Sequence, residues 1–111
     1  MTDPRRFNVR DKYGKLLCPA CGFPDYLFTD AYNERGGTPF GICPCCLWEP
    51  GFDDNSAAST MAKDTILGSL RAYRAEWSAA FEWRGYGPDK PADWDTSAQL
   101  ANLFEAAPYV R

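Results

Sequence analysis

The chain has no histidine. That absence excludes zinc fingers with paired His ligands, His-ligated catalytic zinc, and Ser-His or Cys-His nucleophilic dyads. No run of eighteen apolar residues occurs, so no transmembrane helix is expected. The opening residues Met1-Thr2-Asp3-Pro4-Arg5-Arg6 lack the apolar core of a secretory signal. The expectation is a cytoplasmic protein whose thiols stay reduced. No carboxylate pair stands at a spacing that marks catalysis, and no internal repeat appears beyond one duplicated cysteine motif. With no catalytic set, the chain reads as non-enzymatic.

That motif is the sharpest feature present. Cys18-Pro19-Ala20-Cys21 and Cys43-Pro44-Cys45-Cys46 are two C-x2-C pairs 21 residues apart. A C-x2-C turn brings two sulfurs to one side of a tight loop, roughly 3.5–4 Å apart, as four tetrahedral bonds to Zn2+ require. Pro19 and Pro44 pre-set φ in each turn. Gly22 can take the positive φ that closes the first knuckle. Leu47 holds the equivalent place in the second, which must close differently or accept strain. The four thiols Cys18, Cys21, Cys43 and Cys46 are therefore the candidate ligands of one Zn2+ per chain. Iron in a rubredoxin-like tetrathiolate site is the metal alternative and would make the chain an electron carrier, and disulfides or free thiols are the non-metal one. Cys45 is left outside, because adjacent residues do not easily face one metal. It reads as a small packed side chain, with a redox-sensing thiol as the functional alternative.

At 111 residues, 15% of them aromatic, the chain is long enough for one domain with a modest apolar core. Its formal charge is −3, and Zn2+ with four thiolates adds 2 − 4 = −2, for a holo charge of about −5. The charge is uneven: residues 1–17 carry five cations and two carboxylates, the remainder seven cations and thirteen carboxylates. An acidic body opposes non-specific nucleic-acid binding, although the basic arm with Tyr26, Phe28 and Tyr32 keeps that reading available.

The pattern along the chain predicts an α+β domain spanning 1–111: an N-terminal arm (1–15), a zinc ribbon (16–50) and a helical part (56–111). The arm is polar, with Phe7 and Val9 able to form a short strand, and Lys15–Leu17 is extended. Tyr26–Tyr32 and Thr38–Ile42 read as strands around a turn at Asn33–Gly37, so the ribbon is a β-hairpin between two knuckles. Pro50-Gly51 marks a turn, and Asp53-Asp54-Asn55 reads as a solvated loop, since the Glu of a calcium loop is missing. Apolar residues Ile66, Leu70, Tyr73, Trp77 and Ala80 predict a long helix over about Thr60–Trp83. A short terminal helix over Ser97–Ala107 follows, capped by Thr96 or Ser97.

Cys18-Pro19-Ala20-Cys21-Gly22 and Gly41-Ile42-Cys43-Pro44-Cys45-Cys46-Leu47-Trp48-Glu49, followed by an acidic loop and a helix, resemble the cysteine-rich CPCC family of small bacterial proteins. The resemblance spans about residues 16–80. It implies a zinc-ribbon metal site at Cys18, Cys21, Cys43 and Cys46 in a bacterial, cytosolic protein with no set activity. Similar small proteins sit among toxin-immunity genes, which with the acidic charge suggests a protein that neutralises a basic toxin. The residues expected to meet such a partner are Glu76, Trp77, Phe81, Glu82 and Trp83, since aromatics anchor interfaces and carboxylates steer basic partners.

Overall fold

The computed structural model describes residues 3–38 and 41–111. It is a small α+β fold with two short antiparallel hairpins and two helices. No helix among the described residues is long and apolar enough to cross a membrane.

The first hairpin pairs β1 (Val9–Arg10) with β2 (Leu16–Leu17), Val9 opposite Leu17. Asp11 makes its turn: one carboxylate oxygen accepts the Tyr13 and Lys15 N–H groups. Burial of Phe7, Val9, Leu16 and Leu17 draws the N-terminal segment into the core. A one-turn 3-10 helix, Pro4–Phe7, precedes it, with Asp3 as cap.

The hairpin expected between the knuckles is much shorter than its β-forming residues suggest. It consists of β3 (Tyr32–Asn33) and β4 (Gly36–Gly37), joined by Glu34 and Arg35. The reason lies in a distant side chain. Asn8 accepts the N–H groups of Ala31 and Tyr32 on Oδ1 and donates Nδ2–H to the Tyr32 carbonyl. Of these groups the Ala31 N–H is the one that a longer ladder would have paired, with the Thr38 carbonyl, and Asn8 takes it instead. Of the expected return strand Thr38–Ile42, Pro39 and Phe40 lie outside the described residues, and Gly41 and Ile42 are irregular.

Helix α1 is Ile66–Ser78, 13 residues, not the long helix expected over Thr60–Trp83. Thr65 is extended and caps it, its hydroxyl accepting the Gly68 N–H at 2.9 Å. The Ser69 hydroxyl holds the incoming chain through the Lys63 N–H at 2.8 Å. At the other end Phe81 adopts φ +52°, and its N–H returns to the Trp77 carbonyl, a left-handed stop that usually falls to glycine. Helix α2 is Thr96–Ala106, and its cap is Asp95 rather than Thr96 or Ser97. One Asp95 oxygen accepts both the Ser97 and Ala98 N–H groups. The Asp53-Asp54 pair is not simply solvated. Asp53 accepts the Glu49 N–H, and Asp54 accepts the Gly51 N–H and the Tyr32 hydroxyl, pinning the turn behind the second knuckle.

The core joins the two halves of the chain. Trp48, Leu70, Trp77, Leu103 and Val110 are buried with all five cysteines.

Candidate metal centre

Each knuckle closes through its own backbone, and the two close alike. Cys18 donates its N–H to the Phe23 carbonyl and accepts the Gly22 N–H on its own. Cys43 donates to the Trp48 carbonyl and accepts the Leu47 N–H. Both closures need a left-handed residue in fifth place: Gly22 at φ +86° and Leu47 at φ +69°. The second knuckle therefore closes in the same way as the first and accepts the strain, about 1–2 kcal/mol for an L side chain.

The knuckles face each other. Their four ligand-type sulfurs, Cys18, Cys21, Cys43 and Cys46, lie within 4.8 Å of one another, and all four residues are buried. The Sγ–Sγ distances across the pair are 3.8 Å (Cys18–Cys46) and 3.7 Å (Cys21–Cys43). Four sulfurs at the corners of a tetrahedron with metal–sulfur bonds of about 2.3 Å stand roughly 3.8 Å apart. The donor set and its spacing fit a metal ion. Burial resists ionisation throughout the cage and pushes the Cys21, Cys43 and Cys46 thiols up. Cys18 goes the other way: burial opposes its charge, but hydrogen bonds from Cys21, Cys43 and Cys46 bring it well below the usual thiol value. Several thiolates together in a buried cage need a cation to balance them. A metal ion held by the four sulfurs would supply that balance and would cross-link residues 25 positions apart along the chain.

The helical part braces this cage in ways the cysteine spacing does not announce. Arg74 of α1 donates Nε–H to the Ala20 carbonyl (2.6 Å) and a terminal N–H to the Pro19 and Val110 carbonyls (2.8 Å each). It ties the backbone between Cys18 and Cys21 to that of Val110 and places a cation beside the sulfurs. The Tyr73 hydroxyl donates to the Cys46 carbonyl at 2.7 Å. From α2, Gln99 Nε2 donates to the Cys21 carbonyl at 2.9 Å and approaches Cys45 Sγ at 3.6 Å. Such outer contacts orient the ligands and set the charge around them. Arg74 carried one signal in the sequence: it falls on the same helical face as Leu70 and Trp77, a cation within an apolar stripe. Gln99 carried none.

Cys45 is buried outside the four-sulfur cluster, its carbonyl accepting the Arg84 N–H. Of the residues assigned to a partner, Trp77 requires correction. It is 1% exposed, and its indole N–H donates to the Glu82 carbonyl, so it belongs to the core and cannot anchor a partner. The α1 stripe turns it inward, and the reversal at Phe81 comes only after it. Phe81 is 42% exposed, Trp83 half-buried, and Glu82 and Glu76 exposed, with Glu76 ion-paired to Arg84. Of the ribbon aromatics considered for nucleic acid, Tyr26 and Tyr32 are buried and only Phe28 is exposed.

Compared with protein-family models, with curated proteins and with solved structures, the chain matches none.

Proposed function

We propose that this is a non-enzymatic protein built around one structural Zn2+, held by Cys18, Cys21, Cys43 and Cys46, and that it acts by contact with another protein. The observation that carries the metal reading is the closed cage of four buried sulfurs. Four thiolates complete a tetrahedral shell and leave no position for water or substrate, so the ion's chemistry is to hold the fold. With metal bound, Arg74 and Gln99 keep the first knuckle docked on the helices while the ion joins it to the second.

The contact reading rests on charge and on exposed aromatics. A protein near −5 repels phosphate backbones and attracts basic proteins. The chain's arginines near the N-terminus are engaged internally: Arg5 pairs with Asp3, Arg10 with Asp30, and Arg6 lies over the Tyr109 ring. Neutralisation of a basic toxin is the form of contact this charge favours, and the likeness of the knuckles to those of the CPCC proteins agrees with it.

Elemental analysis of purified protein tests the metal. One zinc per chain and a colourless solution are expected; visible absorption from an iron tetrathiolate would replace zinc by iron. Cross-linking in the native host followed by mass spectrometry tests the contact. Recovery of nucleic acid in place of protein would overturn it.

A further inference from the structure

Beyond α1 the chain builds a compact aromatic face. Phe81 stands edge-on to Trp77, centroids 5.4 Å apart. Trp83 lies between Phe23 (5.2 Å) and Trp94 (5.6 Å), edge-to-face with both. Phe81, Glu82, Trp83, Lys90 and Trp94 border a shallow depression of about 430 Å³.

Three properties of this face define what it can accept. First, both indole N–H groups are used internally: Trp83 donates to the Tyr86 carbonyl and Trp94 to Gln99 Oε1, each at 3.0 Å. Both rings are half-buried, and the part of each ring that remains exposed attracts cations. Lys90 already rests on one such ring, its Nζ 5.2 Å from the Trp94 centroid. Second, the segment that builds this face is acidic. Residues 76–95 carry five carboxylates and two cations. Glu76 is tied to Arg84, and Asp95 caps α2. Glu82, Asp89 and Asp93 are exposed and have no cationic partner among the described residues. Third, Phe81 is held at φ +52° with its ring 42% exposed. A glycine would end the helix there without the cost of roughly 1–2 kcal/mol.

We propose that the Phe81–Glu82–Trp83–Trp94 face docks a basic segment of a partner protein, one that lays an arginine side chain on the tryptophans. This rests on the protein-contact reading above and names its chemistry. A guanidinium stacks flat on an indole and presents its N–H fork to a carboxylate, and Glu82 on the rim of the depression supplies one. An anionic ligand is repelled by the same carboxylates, and a purely apolar peptide would desolvate them without a partner.

The test uses the full, metal-loaded chain and the peptide acetyl-Gly-Arg-Gly-Arg-Gly-amide, with citrulline in place of arginine as the uncharged control. Amide and indole resonances are followed by NMR. The arginine peptide should shift resonances confined to residues 81–95, including the Trp83 and Trp94 indoles, and bind more weakly as salt rises. Glu82→Gln should weaken binding about threefold. Phe81→Gly should weaken it about fivefold in a variant that stays folded by thermal melting, because relief of the left-handed strain offsets part of the packing lost against Trp77. Equal shifts from the citrulline peptide, shifts spread over the whole surface, or unaltered binding by both variants would overturn the proposal. A native partner whose footprint avoids residues 81–95 would also overturn this face, yet would leave protein contact itself standing.

Discussion

Replacing Gly22 by alanine tests whether the metal centre and the terminal helix form one unit. Gly22 sits at φ +86°, directly after the candidate ligand Cys21. A Cβ there would lie 2.6 Å from the Gln99 carbonyl oxygen and 3.0 Å from Leu103 Cβ, both on α2. The carbonyl belongs to helical backbone and cannot turn aside, so either α2 retreats or the knuckle opens. Overpacking against a fixed neighbour costs roughly 1–3 kcal/mol. The left-handed backbone adds about 1 kcal/mol for an alanine, for a total of about 2–4 kcal/mol. Gly14 supplies the reference: its φ is +78°, but a Cβ there meets nothing within 4 Å. Gly14→Ala should therefore cost only the backbone share, about 1 kcal/mol. Both variants should be unfolded with denaturant at one fixed free zinc concentration, because bound metal adds to apparent stability. Retreat of α2 would also pull Gln99 from the Cys21 carbonyl, so Gly22→Ala should release zinc to a chelator faster than Gly14→Ala. Equal stability losses and equal release rates would show that α2 does not rest on the first knuckle.

Three further outcomes are expected. Cys46→Ser should lose the metal and most of the stability, since metal binding and folding are coupled at such a site, whereas Cys45→Ser should keep both; equal losses would mean that the second knuckle uses Cys45. Tyr26→Phe should leave stability unchanged or raise it by about 1 kcal/mol, because the Tyr26 hydroxyl is buried without a hydrogen-bond partner; a loss of similar size in thermal unfolding would reveal a partner for that hydroxyl. Burial raises the Asp54 carboxyl above 3.8, so its ionised form is disfavoured in the fold and stability falls as pH rises from 3.8 through the raised value. Asp54→Asn keeps an acceptor for the Gly51 N–H and removes that fall, so the variant should gain on the wild type across that window at matched metal loading; a constant difference between them would refute the assignment.

The four cysteines of the cage were legible from spacing alone. A C-x2-C knuckle closes within six residues, through bonds between Cys18 and Gly22–Phe23 and between Cys43 and Leu47–Trp48, and needs little from the rest of the chain. The first hairpin was partly legible for the same reason, with Val9 and Leu17 meeting across a turn that Asp11 organises. The existence of both helices followed from apolar periodicity. Their limits did not, because those depend on single side chains: the Thr65 hydroxyl, the Asp95 carboxylate and the reversal at Phe81. Trp77 and Phe81 share a helical stripe in the sequence, and only that reversal leaves one in the core and the other at the surface.

Local chemistry by itself determined that four thiols stand in two matching turns, that no histidine can join them, and that the chain is acidic beyond its first seventeen residues. Only the tertiary structure decided that the turns meet face to face with sulfurs 3.7 and 3.8 Å apart, that Asn8 cuts short the hairpin between them, and that Arg74 and Gln99 bind the first knuckle to helices more than fifty residues away. The physical reason is the range of the interactions. A turn or cap is settled by neighbours in sequence, whereas a carbonyl left unpaired by a turn takes whichever donor the fold brings within reach.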